Sequence, residues 1–278
     1  MSLATEMIVR LQAAFAGRAQ PRVAALHLPP VPWNGGKDGE FGAIELDDGA
    51  LGLSYLLLDD TLASVADAGQ AVHGAAALEV ARWWAQPGAS AARAALGFAA
   101  VNALTRSLFD RCGYTPPAAA DSIGGLAPQA GEAIGMVGFF PPLLKPVLQH
   151  GARLTVLELR ADLAGEREGA RVTLDPADLA PCTQVLSTST VLLNHSFERV
   201  RAACRAARRF VLVGPGAGCL PDPLFAHGVT ALGGTWIVDA AAFKSALAQG
   251  RSWSGTARKF LLQAGDYPGL EALLGSGA

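Results

Sequence analysis

The clearest pattern of apolar and polar positions lies between residues 134 and 160. Residues 134–140 form a short apolar run with two glycines, as in a buried parallel strand. Pro141 and Pro142 end this run and suit the first turn of a helix, whose apolar stripe follows at helical spacing. A second apolar run, residues 154–157, ends in Glu158. The pattern predicts a βαβ unit with a right-handed crossover.

Apolar runs and helical stripes continue to alternate after this unit. They predict an edge strand at 171–174, strands at 184–186, 210–213, 229–232 and 236–238, and helices at 196–207 and 239–249. Alternation of this kind is typical of a doubly wound, mostly parallel sheet. We therefore expect an α/β domain over residues 131–278.

The first part of the chain has a different pattern. It predicts a helix over residues 3–15, strands at 23–28, 41–46 and 51–58, and alanine-rich helices at 72–84 and 91–109. Asp47-Asp48-Gly49 is a good hairpin signal between the second and third strands. This order predicts an α+β domain over residues 1–114. Residues 115–130 are rich in proline, glycine and alanine, lack periodicity, and are predicted to be the linker.

Composition narrows the class of protein. The net charge of −2 and the pI of about 6.2 give no global attraction to nucleic acid or to lipid. With no signal-peptide layout and no run of 18 apolar residues, we expect a cytoplasmic protein without membrane contact. The four cysteines are widely spaced and form no Cys-x-x-Cys pair, so we expect free thiols and no resident metal site. The oligomeric state is left open, with a homodimer as one option.

Four stretches follow predicted parallel strands, where ligands of open sheets bind. They are residues 138–142, Glu158, residues 187–194 and residues 214–218. The first lacks the glycine pattern of a dinucleotide site, because phenylalanines and prolines occupy the turn. Glu158 stands where nucleotide folds hold ribose hydroxyls; the alternative is a surface ion pair with Arg160 or Arg153.

The other candidates also have structural alternatives. Thr188 and Asn194 could contact an anionic ligand; the alternative is plain helix capping by Ser196 or Asn194. The glycine-rich loop at 214–218 could support a charged or planar group or simply cover the sheet edge. Asn102, in an alanine-rich helix, either ties that helix to a loop or points into a cleft. His195 and Glu198 could share a metal, although a surface ion pair is the simpler interpretation.

Several motifs resemble those of the putative heavy-metal-chelation family. They are GLSYLLL (52–58), GFAAVNAL (97–104), GMVGFFPPL (135–143), VLELR (156–160), STSTVLLNHSFERV (187–200), GPGAGCLPDPLFAHGV (214–229) and LGGTWIVD (232–239). The resemblance covers nearly the whole chain and implies an enolase-N-terminal-like domain followed by a Rossmann-like domain. It also implies a ligand cleft between them, with candidate ligand-binding residues Asn102, Gly138, Phe139, Glu158, Thr188, Asn194, Gly214, Pro215, Gly216 and Asp239.

These observations lead to one main expectation and two alternatives. The main expectation is a protein that binds a small polar ligand between its domains, either a metal chelate or its precursor. The first alternative is an enzyme with a ribose-containing cofactor such as S-adenosylmethionine or a nucleotide, held by Glu158. The second is a regulatory or scaffold protein without a small-molecule activity. The sequence leaves open whether any reaction is catalysed.

Overall fold

A computed structural model describes residues 1–31, 40–57 and 61–276 of the chain. Most of the turn-rich stretch at 29–39 lies outside these ranges, as does the last residue of the strand predicted at 51–58. The chain has a two-domain α/β fold with a small antiparallel sheet and a large, mostly parallel sheet. Within the described ranges, no helix is long and apolar enough to cross a membrane.

The small sheet is preceded by one helix and followed by three. The elements are α1 (Leu3–Ala14), β1 (Val23–His27), β2 (Phe41–Leu46), β3 (Leu51–Tyr55), α2 (Thr61–Gly69), α3 (Ala77–Ala85) and α4 (Ala91–Arg111). The strands are antiparallel in the order β1-β2-β3, and a turn at Gly49 joins β2 to β3 as predicted. Helix α2 was not predicted.

The helix predicted at 72–84 is shorter than expected, because α3 begins only at Ala77. The residues before it bond to β1 instead: Val23 N–H donates to Ala75 O (2.9 Å), and Gly74 N–H donates to Val23 O (2.8 Å). Gly74 has φ +73°, which glycine adopts without steric cost. Tertiary pairing therefore overrides the apolar stripe that suggested a longer helix.

The second part of the chain builds the large sheet. Its strands are β4 (Ala133–Val137), β5 (Arg153–Leu157), β6 (Gly165–Arg167), β7 (Ala170–Thr173), β8 (Gln184–Thr188), β9 (Arg209–Val213), β10 (Ala231–Ile237) and β11 (Ala257–Gln263). Its helices are α5 (Pro141–Leu148), α6 (Thr190–Leu193), α7 (Phe197–Ala203), α8 (Pro221–Ala226), α9 (Ala240–Ala248) and α10 (Leu270–Ser276). Short 3-10 helices lie at Ala161–Leu163, Pro176–Leu179 and Ser254–Thr256.

The strand order is β11-β10-β9-β8-β4-β5-β7-β6, with antiparallel pairing only at the two ends. The predicted βαβ unit is present as β4, α5 and β5, which pair in parallel. The strand predicted at 171–174 is not an edge strand, because β6 pairs outside β7. Strand β11 was not predicted.

The strands predicted at 229–232 and 236–238 form one strand, β10. Two glycines in its middle suggested a break, but the ladder with β11 continues through them. A Cβ on Gly234 would lie 2.5 Å from the ring of Phe260 and 3.0 Å from Ala217 O. The glycine therefore permits close packing within the strand instead of ending it.

One apolar core joins the helices of the first domain to one face of the large sheet. It combines Leu96, Leu104 and Trp84 of the first domain with alternate sheet residues, among them Val137, Leu157, Val185, Phe210 and Leu212. The opposite face of the sheet packs in a second cluster with α5. The two domains thus meet along a packed apolar interface.

The predicted linker, residues 115–130, is packed against the large sheet. Leu261 N–H donates to Pro117 O (3.1 Å), so the segment covers the outer edge of β11. Ile123 and Leu126 are buried in the second cluster. The position of the domain boundary stays a prediction.

Candidate functional site

The carboxyl ends of the parallel strands lie at one edge of the large sheet, where ligands bind in folds of this topology. Strand β4 lies between β5 and β8, so the strand order reverses at β4. Gly138 follows β4 with φ +89°, and its N–H donates to Leu157 O (2.9 Å). A Cβ on Gly138 would lie 3.4 Å from Thr188 Cγ2. Two predicted site residues, Gly138 and Thr188, are therefore neighbours at the reversal point.

Glu158 follows β5 and joins two strand ends through hydrogen bonds from the backbone. Its Oε2 accepts from Phe139 N–H (2.8 Å), and its Oε1 accepts from Leu159 N–H (2.7 Å). The structure shows no ion pair with Arg160, whose guanidinium instead bonds to Asp162 (2.6 Å). Oε1 also accepts from Arg160 N–H (3.4 Å), so three backbone bonds hold the half-buried carboxylate and one lone pair stays unused.

The turn after β4 offers few donors for a phosphate. Helix α5 begins with Pro141 and Pro142, neither of which has a backbone N–H. The N–H of Phe139 is bonded to Glu158, and the N–H of Leu143 donates to Phe140 O (2.9 Å). This geometry supports the prediction that the turn is not an ordinary dinucleotide site.

Tyr55, at the end of β3, brings the first domain to the same edge. Burial raises the pKa of its phenol, and the negative charges of Glu40 and Glu158 act in the same direction. The ring also packs edge-on against Phe41, with 5.6 Å between ring centroids. At neutral pH the phenol is therefore protonated and can donate a hydrogen bond. Sequence reasoning missed Tyr55, because its only signal was its place at a strand end in the other domain.

The side chains of Thr188 and Asn194 form hydrogen bonds to residues two positions further along the chain. Thr188 Oγ1 accepts from Thr190 N–H (3.1 Å) and donates to Thr190 Oγ1 (3.0 Å). Asn194 Oδ1 accepts from the N–H (3.1 Å) and hydroxyl (2.6 Å) of Ser196. These are local turn bonds, and the N-cap residues of α6 and α7, Ser189 and Ser196, make no side-chain capping bond. Contact of either side chain with a ligand stays a prediction.

His195 and Glu198 contact the first domain separately. The His195 ring stacks on Trp84, with 5.7 Å between centroids, and His195 has φ +57°. Glu198 Oε1 accepts from Leu3 N–H (3.0 Å). Each side chain thus has its own partner across the interface, which corrects the predicted surface ion pair between them.

The glycine-rich loop after β9 packs between the sheet edge and α4. A Cβ on Gly214, whose φ is +145°, would lie 2.4 Å from Ser189 Oγ. Asn102 Nδ2 donates to Gly216 O (3.0 Å) and to Leu53 O (2.6 Å). Asn102 therefore ties its helix to this loop and to β3, and Pro215 lies in the same packed segment.

Asp239 lies after β10 and is exposed. Its Oδ1 accepts from Ala242 N–H (2.9 Å) and caps α9, as predicted.

The predicted site residues thus form three local arrangements. Gly138, Phe139, Glu158 and Thr188 surround the end of β4. Asn102 contacts the loop that contains Gly214, Pro215 and Gly216. Asn194 bonds to Ser196 before α7, and Asp239 caps α9.

Comparison with known proteins places the chain in a family. Two family models, both described as putative heavy-metal chelation, match residues 124–264 (DUF364) and 40–105 (DUF4213). The first alone covers half of the chain. The chain belongs to the putative heavy-metal-chelation family. A search of curated proteins gives no match.

Two solved structures of this family share the fold. A DUF364 protein of unknown function from Desulfitobacterium hafniense is 22% identical, with a TM-score of 0.70, covering 93% of this chain and 98% of its own. A DUF364 protein of unknown function from Pyrococcus horikoshii is 17% identical, with a TM-score of 0.71, covering 94% and 100%. At these identities the similarity shows the fold alone.

The family description raises the question of whether this chain binds a metal directly. The described side chains offer few suitable metal ligands. Burial raises the pKa of Cys182 to about 11 and those of Cys204 and Cys219 to about 12. A thiol must lose its proton to bind a metal, so these thiols are poor ligands at neutral pH. Across residues 1–31, 40–57 and 61–276, no group of three or more His, Cys, Asp or Glu side chains is arranged to hold an ion.

Proposed function

We propose that the chain binds a small polar organic molecule where its two domains meet, and that this molecule is a metal chelate or the precursor of one. We call this place the seam site and define it by Tyr55, Gly138, Phe139, Glu158 and Thr188. The main support is that the negative charge of Glu158 contributes to the raised pKa of the Tyr55 phenol, so these two residues of different domains are close enough to interact electrostatically. The seam site lies where the strand order of the large sheet reverses, which is the usual ligand position in such sheets.

The chemistry of the seam site suits an organic ligand better than a bare ion. Tyr55 supplies a protonated phenol, Thr188 a partly exposed hydroxyl, and Phe139 and Phe140 partly buried rings. The Tyr55 hydroxyl can donate to an outer oxygen or nitrogen atom of a chelator, and the Thr188 hydroxyl, whose proton goes to Thr190, can only accept, while the rings cover the apolar parts. In a chelate the metal already has its ligands, so the protein need not supply any.

The test is calorimetric titration with defined probes: iron(III) citrate, nickel(II) citrate, citrate alone and the two metal salts. Wild type is expected to bind at least one citrate-containing probe more tightly than the matching salt. Tyr55→Phe removes one hydrogen-bond donor and should weaken that binding roughly two- to tenfold. Tyr114→Phe is the matched control, since Tyr114 lies in a separate aromatic cluster with Phe109 and Tyr267.

Equal binding by the two tyrosine variants would contradict the seam site. Tighter binding of the free ions than of the citrate complexes would contradict the organic ligand. The absence of a thermal shift with any probe, including a general small-molecule library, would favour the scaffold alternative.

An enzyme with a ribose-containing cofactor is the second candidate. The position of Glu158 at the end of the second parallel strand favours it, because an acidic residue there can bond ribose hydroxyls. The proline-started helix α5 and the backbone bonds to Glu158 oppose it. Titration with S-adenosylmethionine, ATP and NAD tests it: micromolar binding that Glu158→Gln abolishes would favour this enzyme over the chelate-binding protein.

A further inference from the structure

The side-chain oxygen of Asn102, Oδ1, has no hydrogen-bond donor within the described part of the chain. The side chain is only 3% exposed, and both hydrogen bonds of its Nδ2 go to main-chain carbonyls of Leu53 and Gly216. These bonds fix which end of the amide is nitrogen, so the other end is Oδ1. This oxygen is buried and makes no hydrogen bond. Because buried polar atoms are nearly always bonded, a donor from outside the chain is expected here.

A cavity adjoins Asn102 at the domain interface, and Tyr55 is not among its lining residues. It lies between β3, α4, the loop after β9 and strand β10, and its volume is about 30 Å³. Asn102, Gly218 and Thr235 are among its lining residues. A single water needs roughly 10–15 Å³ of such a cavity, so this one holds only a group of a few atoms.

The lining defines the chemistry of that group. Asn102 Oδ1 requires an N–H or O–H donor, while the backbone N–H of Gly218 and the Thr235 hydroxyl can donate to an acceptor. Arg106 also lines the cavity, but its Nε bonds to Asp110 (2.7 Å) and its guanidinium stacks on Trp236 at 3.8 Å. Its charge is therefore already neutralised. Most of the remaining wall is apolar, including Phe109, Leu232, Ile237, Phe260 and Leu262, which disfavours an ionised group.

We infer that this cavity is a second binding site, distinct from the seam site, for the primary carboxamide end of a small molecule. A carboxamide is uncharged and carries an N–H donor beside a C=O acceptor. The N–H satisfies Asn102 Oδ1, and the C=O accepts from Gly218 or Thr235. No contact with the seam site is required, so the two sites can be tested separately.

The probe is formamide, the smallest primary amide, with formate as an ionised molecule of nearly the same shape. Saturation-transfer NMR on the full chain should detect formamide, with a signal at least about tenfold above that of formate, since formate lacks the N–H donor. Gly218→Ala places a methyl group in the cavity and should remove most of the formamide signal. Its Cβ would lie 3.8 Å from the nearest Asn102 atoms, an ordinary contact, so the fold should be kept.

Gly255→Ala is the matched control, because a Cβ at Gly255 meets nothing within 4 Å. This variant, like Tyr55→Phe at the seam site, should retain the wild-type formamide signal. Equal signals from formamide and formate, an unchanged signal in Gly218→Ala, or no signal in wild type would each overturn the inference. A crystal structure at saturating formamide that shows only water at Asn102 Oδ1 would also overturn it.

Discussion

At the scale of single residues, Glu158 links the two strand ends that define the seam site. Its Oε2 accepts from the N–H of Phe139, and its Oε1 accepts from the N–H groups of Leu159 and Arg160. Glu158→Gln keeps the shape but leaves one of these donors facing an amide NH₂ group. We expect a loss of roughly 1–2 kcal/mol in the free energy of unfolding, measured by urea denaturation.

The control for this prediction is Asp162→Asn, which removes only the exposed ion pair with Arg160. Its unfolding midpoint should match that of wild type. If Glu158→Gln and Asp162→Asn behave alike, Glu158 does not fix the turn after β4.

The buried thiols give a pH prediction. Burial raises the pKa of Cys219 from an ordinary 9.0 to about 12, so above pH 9 the folded state keeps a proton that the unfolded state loses. The folded state then binds more protons, and stability must fall as the pH rises from about 9 to 12. For Cys219 alone the slope approaches roughly 1.4 kcal/mol per pH unit. Urea denaturation at several pH values should give a smaller slope for Cys219→Ala, and an unchanged slope would contradict this assignment.

Residue chemistry was only partly predictable from the sequence. The rule that ligands bind at strand ends placed Gly138 and Thr188 together, and the structure confirms that they are neighbours. The effect of the Glu158 charge on the pKa of Tyr55 was not predictable, because it acts between two domains and depends on how they pack. Neither hydrophobic periodicity nor motif spacing predicts an interaction between residues of two different domains.

At the scale of elements, β10 depends on a glycine that permits close packing. Gly234→Ala would bring a Cβ to 2.5 Å from the Phe260 ring and 3.0 Å from Ala217 O. Overpacking of this kind costs roughly 1–3 kcal/mol, which thermal or urea unfolding can measure. Gly255→Ala, where the space is open, should have almost no effect. Equal stability of the two variants would show that Gly234 is not needed for packing.

The elements with strong apolar runs were predicted best: β5 and β9 within one residue, and β4 with an end three residues earlier than the apolar run 134–140. Those missed have weak local signals. All three residues of β6 are exposed, and β11 begins with two partly buried residues and an exposed lysine. Their pairing comes from the neighbouring strands, which a local pattern does not report.

At the scale of the whole molecule, the two domains share one apolar core. The face of the large sheet that carries Val137, Phe210 and Leu212 packs with Leu96 and Leu104 of α4. Separating the domains would expose this face to water, so we expect the full chain to unfold in one cooperative transition. Differential scanning calorimetry should give equal calorimetric and van't Hoff enthalpies. Two resolved transitions would contradict the shared core.

The division into a small antiparallel sheet followed by a large parallel sheet was predictable, because alternation of strands and helices is recorded in sequence order. The packing of residues 115–130 was not. Their proline- and glycine-rich composition suggested a linker, yet Ile123 and Leu126 are buried beneath the large sheet. Two apolar residues that belong to no helical or strand periodicity do not predict that the segment packs against the sheet.

The most direct test of the seam site is a crystal structure grown with iron(III) citrate, using anomalous scattering at the iron edge. We predict an iron peak between Tyr55 and Glu158, with citrate oxygens as its ligands and no protein side chain within the roughly 2.0–2.3 Å of a direct metal bond. Iron bonded directly to a cysteine, histidine or carboxylate of the chain, or a fully occupied complex bound elsewhere, would contradict the proposal.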